Sequence, residues 1–533
     1  MKLRWLLEAA GASLLILTLF CRLIFPEHLV LYLHLLPMRN LVCGILLDMF
    51  AIFLFSAAAL WVVPRLAPLP RRVIGGVLAG LVIWRVIGSG VFLLLLVHQR
   101  LPNQVPAIEQ FSATDWLGKY WHRFQPVFAV AIPFALGLLA WVKPAASRLV
   151  VRLVRLGLAA LAFCAIWIVP QLVPLTFGKQ ESQAFDHTAS LPQPIAGRRI
   201  VWILFDELSY NLVFDHPPAG QDLPNLRKLR SESTSFGNLI PVGTDTARII
   251  PSILMGRRID LIRSTIGGKL SYFDSSQEVW LDYDPRGTLF EVARAGKWNP
   301  GAVGWYNPYC RIFADVLSSC FWEPQIGPEL PFEPWSVSGD GSVLSNAMAI
   351  PRAGMSKLSS PTRGTSAIFV SQSMQNYRIV MDRSKTMIEN GKIGFLFLHL
   401  PVPHPPGIYN RKTHKLAGGG NYLDNLMLAD DTLGELLEEI AHTPQAAQTT
   451  IVVSSDHSWR VPLWANAPDW TPEEERISQG KFDQRPVFLV HFPGQQTGID
   501  VLSPQPELLE HDVVAGMLQG TISNPETLQG GIR

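Results

Sequence analysis

The first 175 residues carry five apolar runs, at about 5–25, 41–63, 73–97, 124–142 and 153–173. Each is close to the ~20 residues that a helix needs to cross the hydrocarbon core of a bilayer. The competing reading, buried helices of a soluble domain, sits poorly with a chain of 533 residues that is 48% hydrophobic and has a mean hydropathy of +0.21. The spacing therefore predicts a five-helix transmembrane bundle over residues 1–175. Glu8, Asp48 and Arg85 fall inside or near the ends of these runs, where ionisable groups face other helices or a cavity. A net charge of +2 gives no global basic field, which argues against nucleic acid as a partner.

Cations in the short loops set the orientation. Lys2 and Arg4 precede the first run, Arg65, Arg71 and Arg72 separate the second and third, and Lys143, Arg148, Arg152 and Arg155 surround the start of the fifth. Those places are expected to be cytoplasmic, which puts everything after Pro174 on the outer side. No small-residue cleavage site closely follows the first run, so it reads as a retained helix. The outer loop before Arg123 carries Phe111, Trp116, Tyr120 and Trp121, which suit either an interfacial amphipathic helix or a plain loop.

Residues 176–197 are polar and contain prolines, the composition of a linker. From 198 to 533 the pattern changes to that of an α/β domain. Runs of strand length recur at IVWILF, GFLFLHL (394–400), TTIVVSS (449–455) and PVFLVHF (486–492), with helical segments at 223–233 and 422–440 between them. Continuous apolar runs alternating with helices predict a mostly parallel sheet covered on both faces.

Ligands gather at the carboxyl ends of strands in such sheets. Asp206 and Glu207 end the first run, His404 follows the second, and Asp456 and His457 end the third. Carboxylates and imidazoles at one edge suit Zn²⁺ or Mn²⁺; a helix cap or loop residue is the ordinary alternative for each alone. The stretch GTDTARIIPSILMG (243–256) places Thr244 and Thr246 at the start of an apolar helix, with Gly243 and Thr244 as turn and cap. Hydroxyls there either cap the helix or meet an anion held by its free N–H groups.

Together these pieces resemble the alkaline phosphatase and sulfatase superfamily. Within it, they resemble the five-helix membrane enzymes that include phosphoethanolamine transferases and lipoteichoic acid synthase. The resemblance spans almost the whole chain, and FDEL (205–208), GTDTARIIPS (243–252) and SSDH (454–457) are its most specific pieces. TARIIP matches the family's Thr-Ala, three residues, Pro form and marks Thr246 as the nucleophile. The resemblance implies one or two divalent cations, Zn²⁺ ahead of Mn²⁺, held by Asp206, Thr246, Asp456 and His457 with Glu207 as additional or substitute ligand. His404 would bind substrate phosphate or move a proton, with Thr244, Arg248 and Arg485 toward the substrate. The chain departs from the family at the adjacent Asp206–Glu207 pair, at Ser458 where glycine is common, and at Lys481, Gln484 and Arg485.

The expected activity is phosphotransfer in a bacterial cytoplasmic membrane, from a phospholipid donor to an envelope glycan, lipid or polymer through a phosphothreonine. A hydrolase or an inactive envelope scaffold are the alternatives. Threonine at 246 disfavours sulfate-ester hydrolysis, because formylglycine is made from cysteine or serine. Cys310 and Cys320 are close enough to form a disulfide in an oxidising compartment, or are two buried thiols.

Overall fold

The computed structural model describes residues 2–15, 39–100, 113–178, 182–194, 198–264, 270–274, 277–324, 342–348, 364–465, 467, 469–479 and 481–532. The chain separates into two compact units, one built chiefly from residues up to Gly178 and the other chiefly from Lys179 onward.

The N-terminal unit is helical. Among the described residues, two helices are long and apolar enough to cross a membrane, Arg39–Arg65 and Pro144–Pro170, so the expected five spans are not reached. The first expected span runs beyond the described residues after Leu15. In Pro68–Arg100 the described side chains end at residue 88 and include Arg71, Arg72 and Arg85. The apolar part of Ala113–Val142 is confined to Val127–Val142. That same helix takes in residues 113–123, so the second half of the outer loop is helical, while the side chains of Trp116, Tyr120 and Trp121 lie outside the described residues. Gly76 and Gly80 let two helices touch at the backbone: a Cβ would stand 2.6 Å from the Leu136 carbonyl oxygen at the first and 2.5 Å from Pro133 Cα at the second. Small residues four apart serve this purpose in lipid. Glu8 is buried and takes both Arg4 and Arg155 at 2.8 Å, so its charge is paired inside the helix packing.

The C-terminal unit is organised by a sheet with nine strands among the described residues. In chain order they are β1 (Ala184–Asp186), β2 (Arg199–Asp206), β3 (Thr234–Phe236), β4 (Gly301–Trp305), β5 (Ser319–Glu323), β6 (Phe395–Pro403), β7 (Thr449–Ser455), β8 (Phe488–His491) and β9 (Ile499–Val501). Their spatial order is β1-β5-β4-β6-β2-β7-β8-β3-β9. The central strands β5, β4, β6, β2 and β7 run parallel, while β8 is antiparallel to β7 and β3. Its run PVFLVHF reports burial on both faces, which says nothing of strand direction. Part of the expected linker is itself β1, which pairs Phe185 with Cys320; Phe185 packs on the core and draws its short polar segment into the sheet.

Alternation divides the core. Ile200, Trp202 and Leu204 face one side and meet helices α2 (Thr246–Met255) and α5 (Leu509–Gln519). Val201, Ile203 and Phe205 face the other and meet α3 (Gly364–Glu389) and α4 (Tyr422–Ala441). Here α1 denotes Pro224–Ser231, which adds Leu226 and Leu229 to the second side. The start of α4 is fixed by a capping box between Asn421 and Asp424.

Cys310 and Cys320 form a disulfide across 10 residues of sequence, with an S–S distance of 2.10 Å. Closing so short a loop limits the unfolded chain and contributes about 2–3 kcal/mol. Replacing both cysteines by serine is expected to lower the thermal midpoint of this unit in the full chain. A reductant should lower the wild-type midpoint equally and leave the double variant unchanged.

Candidate active site

The register of the parallel strands assembles the centre. Leu204 of β2 stands opposite His399 of β6 and Ser454 of β7, so these three share the face that α2 covers. Two residues further on, where β2 and β7 end, Asp206 and Asp456 arrive side by side. One ligand atom each from Asp206, His399 and Asp456 lies within 4.8 Å of the others, and all three residues are buried. Asp206 Oδ1, Asp456 Oδ2 and His399 Nε2 have no hydrogen-bond partner in the protein. Buried polar atoms are rarely left so, and a divalent cation satisfies oxygen and imidazole donors together. The residues therefore fit the expected ion.

His457 extends the set. Its Nε2 is 3.2 Å from Asp456 Oδ2 and 3.8 Å from Asp206 Oδ1, while its Nδ1–H donates to the Ser458 carbonyl at 3.1 Å. That bond leaves the Nε2 lone pair facing the carboxylates. His399 can do the same with its proton on Nδ1, donating to Tyr309 Oη at 2.8 Å. Burial pushes His399 down to about 4, and burial with the Arg460 charge takes His457 to about 3, so both imidazoles are neutral and free to ligate. Burial raises Asp206 well above the carboxylate range, and the neighbouring Asp456 adds to it; burial raises Asp456 too.

Thr246 opens α2, buried, with its Oγ1 3.3 Å from His457 Nε2. The helix cap is Asp245, which accepts from the Arg248 N–H at 3.2 Å. Thr244, expected as the cap, is instead exposed, because the Asp245 carboxylate one residue on already takes the free N–H. Arg248 pairs with Asp245 and donates to the Asp260 carbonyl.

Glu207 is turned away from Asp206. Its φ of 68° lies in the left-handed region, which non-glycine residues seldom adopt, and its N–H donates to Asp456 Oδ1 at 3.1 Å. The buried carboxylate accepts from Arg460 and, at 2.9 Å, from Trp464 Nε1. Burial works to raise its pKa, but Arg460 and then His404, His457 and Trp464 hold it below the usual value. It thus serves as counter-ion to Arg460 and stands outside the cluster formed by Asp206, His399 and Asp456. His404 donates through Nδ1 to the Pro405 carbonyl and sits edge-on between Trp305 and Trp464, 5.5 and 5.3 Å away by ring centre. Arg485 is already engaged, by Asp483 at 2.6 Å and Asp215 at 2.7 Å, so its fork is not free to clamp a phosphate.

Sequence reasoning passed over His399 and Arg460. His399 carried a signal: it is the one polar side chain in the run FLFLHL, where burial has to be explained.

The site defines a class: a buried carboxylate and imidazole cluster at the carboxyl edge of an α/β sheet, beside a hydroxyl at a helix start. Three solved structures show a likeness to this chain. One is a protein in the alkaline phosphatase superfamily from Vibrio parahaemolyticus, at 14% identity, covering 63% of this chain and 68% of that one with a TM-score of 0.35. Another is the lipoteichoic acid synthase LtaP from Listeria monocytogenes, at 14%, 60%, 72% and 0.35 by the same measures. A third is the PsFucS1 sulfatase from Pseudoalteromonas sp., at 14%, 62%, 68% and 0.39. No protein-family profile matches the chain, and no curated protein matches it in sequence.

Proposed function

We propose that the protein is a membrane-anchored, metal-dependent phosphotransferase. It would move the phosphorylated headgroup of a phospholipid, phosphoethanolamine or phosphoglycerol, to an envelope glycan, lipid or polymer. The observation that carries the reading is Thr246 Oγ1 at 3.3 Å from His457 Nε2, beside buried carboxylate oxygens that lack partners. An ionisable alcohol in that place is a nucleophile held by a metal set.

Asp206, His399, Asp456 and His457 would hold the ion, and Zn²⁺ suits this mixed set better than Mn²⁺. When bound, it lowers the pKa of the threonine hydroxyl and balances charge on the phosphoryl oxygens. Thr246 Oγ1, its proton gone, attacks the phosphorus of the donor diester and the bond to the glycerol oxygen breaks. His404, whose Nε2 is left open by its Nδ1 bond, supplies the proton that diacylglycerol carries away. The acceptor hydroxyl then attacks the phosphothreonine, gives its proton to His404, and restores Thr246. Arg460, paired with Glu207, holds that carboxylate away from the ion.

The same residues with water in the acceptor's place make a phosphodiesterase, and product analysis with and without acceptor separates the two. The placement we infer is a membrane-anchored protein of a bacterial cytoplasmic membrane with the C-terminal unit on the outer side, a reading supported by the Cys310–Cys320 disulfide. Intact mass spectrometry of the full chain after incubation with mixed phospholipids tests the function. The expected result is an added mass on Thr246 equal to one phospho-headgroup; an unmodified Thr246 under turnover conditions overturns it.

A further inference from the structure

At the end of β6 the chain reads PVPHPPGI (401–408), with prolines at 401, 403, 405 and 406. Proline has no N–H, so from 403 to 406 the main chain owns a single donor, that of His404, against four carbonyls. These prolines are buried, and buried carbonyls take their donors from somewhere. One side chain supplies most of them. Asn425, fully buried in the first turn of α4, donates through Nδ2 to the carbonyls of Pro406 at 2.9 Å and His404 at 3.1 Å, with a longer contact to that of Pro403 at 3.4 Å. Its Oδ1 accepts the Ile408 N–H at 2.9 Å. Acceptors on one side and a donor on the other fix which way the amide faces. The remaining carbonyl, that of Pro405, takes the His404 Nδ1–H. The imidazole is thus tied to a stretch of backbone that Asn425 ties to a helix.

We propose that Asn425 is a positioning residue for His404: by holding residues 403–408 it aims His404 Nε2 at the oxygen that leaves phosphorus, a role that rests on His404 as proton carrier in the phosphotransfer reading. In the first step Thr246 Oγ1 bonds to phosphorus, the bond to the glycerol oxygen breaks, and the proton on His404 Nε2 passes to that oxygen. A p-nitrophenyl ester needs no such proton, because nitrophenolate leaves as a stable anion. A misplaced imidazole therefore slows the lipid donor and spares the nitrophenyl one. A side chain on a packed helix is a firm carrier for such a clasp.

The test compares two donors on the full-length protein in lipid nanodiscs: phosphatidylethanolamine or phosphatidylglycerol, and the p-nitrophenyl ester of the same phospho-headgroup. Single-turnover release of diacylglycerol or nitrophenolate is measured. Asn425→Ala and Asn425→Asp are each expected to lose about 100-fold with the lipid and less than about threefold with the nitrophenyl ester. The size of the nitrophenolate burst counts the folded, working sites in each preparation, and zinc content is read beside it. His404→Ala should show the same contrast between donors. Adding Asn425→Ala to it should cost nothing more, since both act through one imidazole. Equal losses on the two donors, losses that add to those of His404→Ala, wild-type rates in Asn425→Ala, or no burst from either Asn425 variant each overturn the proposal. If His404→Ala shows no contrast, the proton-transfer reading falls and the positioning role with it; if the wild type releases no diacylglycerol, the phosphotransfer reading itself is overturned.

Discussion

Thr246→Ala is expected to cut turnover by at least about 10⁴-fold while leaving the fold and metal uptake in place. Loss of a nucleophile costs this much because the remaining groups cannot replace the covalent step. The fold should survive because Asp245, not Thr246, caps α2, and because Ile249, Ile250, Ile253 and Leu254 keep the helix in the core. The measurement is diacylglycerol release from phospholipid vesicles, read beside metal content and thermal midpoint. A variant that keeps wild-type rates removes Thr246 from the mechanism. A variant that loses metal as well as rate reassigns it from nucleophile to structural ligand.

Asp206→Asn is expected to weaken metal binding by more than about 100-fold, since loss of even a supporting contact to a ligand costs 10–100-fold. It should also stabilise the metal-free protein at neutral pH. Two buried carboxylates face each other here, and burial raises Asp206 well above its ordinary 3.8. For a group raised in the folded state, stability is complete below the unfolded value and declines as pH climbs through the folded one. The wild-type apoprotein is therefore expected to lose stability progressively above about pH 4, relative to the variant, which has no proton to lose there. Bound cation reverses this, because it needs the carboxylates ionised. Thermal melts of both proteins from pH 4 to 8, with and without Zn²⁺, give the comparison. Parallel melting curves without metal, or an equal rise with it, would refute the assignment of Asp206 to the ion.

Much of the centre is legible in the sequence because long buried strands advertise themselves, and a strand's last residue is then easy to find. Asp206, Asp456 and His457 end such runs, whereas the apolar face of α2 leaves Thr244 and Thr246 as equals and only the likeness of TARIIP to a family pattern separates them. Short strands send no such message: β4 is GAVGW and β1 is three residues, and both are strands because neighbours far along the chain pair with them. Ion pairing across long separations is equally silent. Arg485 reads as a free phosphate clamp until Asp215, 270 residues away, takes its guanidinium. The adjacent carboxylates at 206 and 207 read as one ligand pair. Backbone geometry parts them, and no pattern in the letters announces a left-handed turn at a glutamate.

That turn has a bearing on how position 207 tolerates change. Glycine would relax the main chain there, and on conformational grounds alone ranks as the best substitute. Yet it would strand the guanidinium of Arg460 in a desolvated interior with no neutralising oxygen from Glu207, a far heavier penalty. Protein engineers seeking a sturdier variant would do well to leave this awkward residue alone, or to exchange it together with Arg460.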